Sequence, residues 1–134
     1  MSSKENRKLL EDILSGKIGL FDAMSDDAIW QVASRRAFIG KASILNDLFA
    51  PLMNLMESMG TIVPTNIIAE GDHAVLEGYA EGRMTKKGEA YNNNYCIVYR
   101  FKDGKIVHIT EYADLTLAER VLPELDLKKG SPSV

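Results

Sequence analysis

The segment from Tyr91 to Asp114 constrains the fold most, because it contains two strand-like runs on either side of Asp103-Gly104. An Asp-Gly pair between alternating hydrophobic residues is among the strongest short-range signals for a β-hairpin. The same segment carries polar residues on the side expected to face inward, and that side ends at Glu111. A carboxylate at such a position predicts a pocket rather than an uninterrupted apolar core.

Length and composition predict one soluble domain spanning residues 1–134. The net charge is −3 and the basic residues are scattered, which argues against a nucleic-acid partner. No apolar run is long enough for a membrane span and the first residues lack the apolar core of a signal peptide, so we expect a cytoplasmic protein without membrane contact. Cys96 and the two histidines predict no metal site, and the absence of a Gly-rich phosphate loop predicts no cofactor.

The first sixty residues are predicted to be mainly helical. Ser2 and Glu5 form a capping box sequence that begins a helix, and Gly16 ends it. A second short helix is expected over 18–24, followed by a short strand over 28–32. A longer helix is expected over 41–58, in which Pro51 either kinks the helix or divides it into two.

From Gly60 onward the hydrophobic pattern changes to a period of two, which predicts strands. The expected strands cover 61–69, 73–84, 90–101 and 105–113. A last helix over 115–122 completes a core of about residues 4–122, and 126–134 are expected to form a flexible tail. Helices followed by an antiparallel meander predict an α+β fold.

Side-chain alternation along the strands indicates which residues face inward. The even positions of the strand over 73–84 are small, including Gly78 and Gly82, and small residues on a concave face leave room for a cavity. The alternative is that both glycines allow bulges that bend the sheet.

Inward-facing odd positions on the last two strands would bring Asn93, Tyr95 and Glu111 into that cavity. A one-residue shift of register would instead expose Glu111, where it would pair with Arg83 or Arg100 on the sheet surface.

Three sequence features together resemble the SnoaL-like and ketosteroid-isomerase-like families of the nuclear transport factor 2-like superfamily. They are the Tyr-Asn-Asn-Asn-Tyr strand from Tyr91, the Phe-Lys-Asp-Gly-Lys-Ile hairpin from Phe101, and Glu-Tyr-Ala-Asp from Glu111. The resemblance covers roughly residues 4–122. It implies a cone-shaped, curved antiparallel sheet packed on N-terminal helices (a cystatin-like plan), with one apolar pocket and commonly a homodimer.

The resemblance carries over only part of the families' catalytic residues. Glu111 occupies the acidic position on the last strand of SnoaL-type cyclases and limonene epoxide hydrolases, and Asp114 stands as the second acid. The base and the oxyanion-hole Asp of ketosteroid isomerases align with Val32 and Ile97, and the Asp-Arg-Asp set of the epoxide hydrolases is absent. Neither of these two mechanisms is therefore expected here.

The residues support an enzyme hypothesis and an alternative. In the first, Glu111 is a general acid or base for isomerisation, cyclisation or hydrolysis of a small apolar molecule. The predicted ligand contacts are Trp30, Asn93, Tyr95 and Met56. The alternative is a non-catalytic binding protein or a dimeric assembly module. Asp114 is expected to cap the last helix.

Overall fold

The computed structural model describes residues 2–128 of the chain. The strands are β1 (Met24–Val32), β2 (Ala37–Ile39), β3 (Met56–Ser58), β4 (Thr61–Glu70), β5 (His73–Glu81), β6 (Met84–Thr85), β7 (Asn94–Lys102) and β8 (Lys105–Ala113). The helices are α1 (Ser3–Leu14), α2 (Lys41–Ser43), α3 (Ala50–Leu55) and α4 (Leu115–Val121), with a π-helical segment (Ile44–Phe49) between α2 and α3.

Six strands form one curved sheet in the order β2-β1-β8-β7-β5-β4. Strands β4, β5, β7 and β8 pair antiparallel, which confirms the predicted meander. The prediction of a wholly antiparallel sheet was wrong, because β1 pairs parallel with β8. This pairing joins the first and last strands, and local alternation carries no information about such a distant partner.

The turns predicted at Gly71 and at Asp103-Gly104 are present. Asp103 and Gly104 both have positive φ, at 52° and 77°, as a two-residue hairpin turn of type I′ requires. Gly71 turns the chain between β4 and β5. The Ser2–Glu5 capping box is present at the start of α1 and Asp114 caps α4, as expected.

One predicted helix was wrong and another was predicted three residues too long. The segment expected as a helix over 18–24 forms turns, and β1 already begins at Met24. The helix expected over 41–58 ends at Leu55, and Met56 begins β3. Pro51 is the second residue of α3, after the π-helical segment has ended at Phe49, and the wider turn before it accommodates a residue that has no N–H to donate.

Gly78 supports the bulge alternative. A Cβ at Gly78 would lie 2.5 Å from the carbonyl oxygen of Val63, opposite a register shift between Pro64 and Asn66. Gly82 has a φ of 75° and follows the end of β5 at Glu81, so the strand predicted to reach residue 84 is shorter.

The core lies between the inner face of the sheet and the helical elements, with α1 packed on β4 and β5. It extends beyond the predicted end at residue 122, because Leu127 is buried and its carbonyl accepts a hydrogen bond from Arg36 N at 2.7 Å. The rest of the predicted tail, 129–134, lies outside the described residues. Within residues 2–128 no helix has both the length and the apolar composition needed to cross a bilayer.

Candidate functional site

A cavity of about 380 Å³ lies between the inner face of the sheet and the helical elements. Most of its lining is apolar and comes from the end of α1, the helical run before β3, the central strands and α4. The exposed residues Gly16, Gly60 and Thr61 are also part of the lining, so the cavity is open to solvent. Its walls therefore suit a small, largely apolar molecule.

Glu111 lies in the wall of this cavity, as the inward register predicted. On β8 it pairs with Ile97 of β7 on one side and with Val32 of β1 on the other. Both neighbours are buried apolar residues that also line the cavity. The alternative register, with Glu111 paired to Arg83 or Arg100 on the sheet surface, was wrong.

The Glu111 carboxyl group is oriented by one hydrogen bond, which Trp30 Nε1 donates to Oε1 at 2.9 Å. Trp30 is buried and its ring packs edge-on against Phe49 at a centroid distance of 5.2 Å, so the indole is fixed in place. Burial of the carboxyl group raises the pKa of Glu111, and the hydrogen bond from Trp30 and the charge of Arg83 offset only part of that effect.

Three tyrosines of β7 and the segment before it surround Glu111 on the cavity side. Tyr91, Tyr95 and Tyr99 all line the cavity, and the Glu111 charge contributes to the raised pKa of each phenol, although burial is the larger cause. These phenols stay protonated and can donate hydrogen bonds. The predicted Tyr95 is joined by two further members of the same inward row.

Arg83 completes the polar part of the cavity. Its Nε donates to the carbonyl oxygen of Met59 at 2.8 Å, and its Nη1 donates to the Tyr95 hydroxyl at 2.9 Å. The sequence did not single it out, because alternation along an uninterrupted strand directs Arg83 outward. The positive φ of Gly82 ends that alternation. The sequence feature that could have indicated this change of direction is Gly82, a glycine at the end of the strand.

Asn93 is fully buried but does not line the cavity. Its Oδ1 accepts hydrogen bonds from the backbone N–H groups of Asn94 at 2.8 Å and Asp114 at 3.0 Å. Its Nδ2 donates to the carbonyl of Asp114 at 3.0 Å and to the Tyr91 hydroxyl at 3.1 Å. The side chain thus holds the start of β7 against the N-terminus of α4, and it has no group left for a ligand.

Of the remaining predicted ligand contacts, Trp30 and Tyr95 line the cavity and Met56 does not. Met56 is buried in β3, beyond the end of the helix on which it was expected. Among the described residues, no group of three His, Cys, Asp or Glu side chains is arranged to hold a metal ion.

Comparison with known proteins identifies the fold and the family. The sequence pattern of the SnoaL-like domain matches residues 15–109. No curated protein matches the chain.

Three solved structures with the same fold are each less than 25% identical to this chain. A nuclear transport factor 2-like protein of unknown function from Burkholderia pseudomallei is 17% identical with a TM-score of 0.72, over 91% of this chain and 98% of that chain. A candidate SnoaL-like polyketide cyclase from Jannaschia is 16% identical with a TM-score of 0.69, over 89% and 92%. A candidate isomerase from Bacillus subtilis is 17% identical with a TM-score of 0.69, over 95% and 96%.

Proposed function

This chain belongs to the SnoaL-like domain family, and on that premise we propose that it is an enzyme that transfers protons on a small, largely apolar molecule bound in the cavity. Glu111 is the acid or base. The observation that carries the proposal is a carboxyl group set between Val32 and Ile97 and oriented by Trp30 Nε1 at 2.9 Å.

The chemistry follows from that environment. A free glutamate is almost wholly ionised at neutral pH and is a weak base. Desolvation raises the pKa of Glu111 toward the range in which a carboxyl group both accepts and returns a proton efficiently. In the ionised form it would take a proton from an acidic C–H next to a carbonyl, leaving the negative charge on the substrate oxygen, and return it at another atom.

The similarity to a candidate cyclase and a candidate isomerase is consistent with such chemistry. A shared fold does not determine a reaction, because one fold hosts many unrelated activities. Isomerisation and cyclisation both begin with a proton transfer of this kind, and hydrolysis would need the same carboxylate to activate water.

Two alternatives rest on specific observations. The largely apolar lining favours a protein that binds a ligand without converting it. Exposed hydrophobic side chains on the outer face of the sheet, Ile68, Tyr79 and Tyr112, favour a homodimer in which a second copy covers them. A doubled mass in light scattering that persists on dilution would support the dimer, and a monomer would contradict it.

The proposal is tested with 2-tetralone, a small apolar ketone with acidic C–H groups. In deuterated buffer the native protein is expected to accelerate the exchange of these hydrogens, followed by proton NMR, because Glu111 removes them and deuterons return. The Glu111→Gln variant should exchange at the buffer rate, since an amide cannot accept the proton.

The matched control is Glu70→Gln, which makes the same change at an exposed residue of β4. It should leave the exchange rate at the native value. Exchange by Glu111→Gln as fast as by the native protein would contradict the role of Glu111. Binding of 2-tetralone by the native protein without accelerated exchange would favour the non-catalytic alternative.

A further inference from the structure

Arg83 lies at the side of the cavity that opens to solvent. A Cβ built on Gly60, one of the exposed lining residues, would lie 2.8 Å from the backbone nitrogen of Arg83. The backbone of Arg83 is held by the Asn92 side chain, which accepts from its N–H at 3.0 Å, and by Tyr91 N, which donates to its carbonyl at 3.0 Å. The guanidinium therefore occupies a fixed position rather than a flexible surface one.

Among the described residues the guanidinium has no acidic hydrogen-bond or ion-pair partner. Within residues 2–128 Arg83 forms no ion pair. Its two side-chain hydrogen bonds go to neutral oxygens, those of Met59 and Tyr95, and Nη2 forms no hydrogen bond to the described residues. A half-buried cation without a counter-charge favours an anionic ligand.

The single lining carboxyl group among the described residues does not bond Arg83. Glu111 forms its hydrogen bond with Trp30 instead. Its pKa is raised in spite of the charge of Arg83. The guanidinium therefore has no directly bonded anion among the described residues.

Tyr95 supports the same subsite. Its hydroxyl accepts a hydrogen bond from Arg83 Nη1 at 2.9 Å and shares its own hydrogen with the neighbouring Tyr91 hydroxyl. Burial raises the pKa of the phenol, so this hydrogen remains in place at all ordinary pH values. Tyr95 therefore orients the guanidinium, and an oxygen atom of a ligand near Arg83 would receive a charge-assisted bond from Nη2.

We infer that the ligand of this cavity is an apolar molecule bearing one anionic oxygen group, a carboxylate or an ionised enol, which binds Arg83 while the apolar body fills the interior. This inference rests on the cavity being the site of the proposed function. It adds the class of ligand: an organic acid rather than a neutral hydrocarbon-like molecule.

Two pairs of probes test it by isothermal titration calorimetry. The first pair is 2-naphthoate and neutral 2-naphthamide, and the second is 4-hydroxycoumarin, an acidic enol, and neutral coumarin. The native protein should bind the anionic member of at least one pair about tenfold or more tightly, as a charge-assisted hydrogen bond provides. Preference in the first pair identifies a carboxylic acid, and preference in the second identifies an enol.

Variants locate the preference. Arg83→Gln should reduce the ratio of affinities for the anionic and the neutral probe to about threefold or less. Arg83→Lys keeps the charge and should retain a larger part of that ratio. The control is Arg100→Gln, which removes a positive charge from the exposed outer face and should leave the preference at the native value.

The outcomes separate this inference from the proposed function. Equal binding of charged and neutral members by the native protein overturns the inference and leaves the cavity as a ligand site. Loss of preference in Arg100→Gln but not in Arg83→Gln also overturns it. If none of the four probes binds, both the inference and the proposed use of this cavity are contradicted. The comparison within the native protein does not depend on how well a variant folds.

Discussion

Replacement of Asn93 by alanine is expected to lower the free energy of unfolding by about 3 kcal/mol. The buried amide makes four hydrogen bonds. They join it to the backbone N–H of Asn94, to the backbone N–H and carbonyl of Asp114, and to the Tyr91 hydroxyl. Alanine would leave these partners unsatisfied away from water and would open a small void. Urea unfolding followed by circular dichroism measures the loss.

Asn94→Ala provides a matched control, because it makes the same change at the next position on an exposed side chain. It should alter the free energy of unfolding by less than about 0.5 kcal/mol. Asn93→Asp keeps the accepting oxygen but sets a second carboxyl oxygen against the Asp114 carbonyl in a buried site, so it should cost at least as much as alanine. If Asn93→Ala cost no more than Asn94→Ala, the side chain would not be holding α4 to β7.

The second large effect concerns the dependence of stability on pH at Glu111. An unfolded glutamate ionises near pH ~4.3, whereas the folded carboxyl group retains its proton to a higher pH. Between the two pKa values the unfolded chain releases a proton that the folded chain keeps, so rising pH favours unfolding. The native protein should therefore lose about 1.4 kcal/mol for each unit by which burial raises the pKa.

Glu111→Gln removes that titration. Relative to the native protein, the variant should gain stability as the pH rises through this interval, and the difference should be constant below the unfolded pKa and above the folded one. Chemical denaturation at a series of pH values gives the comparison, with Glu70→Gln as the control. A native protein that gained stability over Glu111→Gln with rising pH would indicate an ion-paired carboxylate.

Local patterns were sufficient for the antiparallel meander of β4, β5, β7 and β8 and for the central site residue. Alternation and the Asp103-Gly104 turn fixed β7 and β8, and the inward register of Tyr95 and Glu111 followed from them. Trp30 was expected in the cavity, but its bond to Glu111 joins two strands that are neighbours only in the folded sheet. Local sequence contains no information on that pairing.

Errors arose at two residues of the site, Arg83 and Asn93, for different reasons. Gly82 ends β5 and brings Arg83 into the cavity, although the uninterrupted pattern directs it outward. Asn93 faces inward as predicted, yet the N-terminus of α4 lies against it and uses its hydrogen-bonding groups. In both cases the decisive contact is between segments, and it appears only when the sheet and the last helix are packed together.

The most direct measurement of the central claim is the pKa of Glu111 in the free protein. Carboxyl-carbon NMR across a pH titration reports it, with Glu111→Gln identifying the resonance. A midpoint clearly above the model-peptide value of about 4.3 is expected from a carboxyl group desolvated between Val32 and Ile97. A midpoint at or below that value would mean a solvated or ion-paired side chain, and it would contradict the assignment of Glu111 as the acid or base of this cavity.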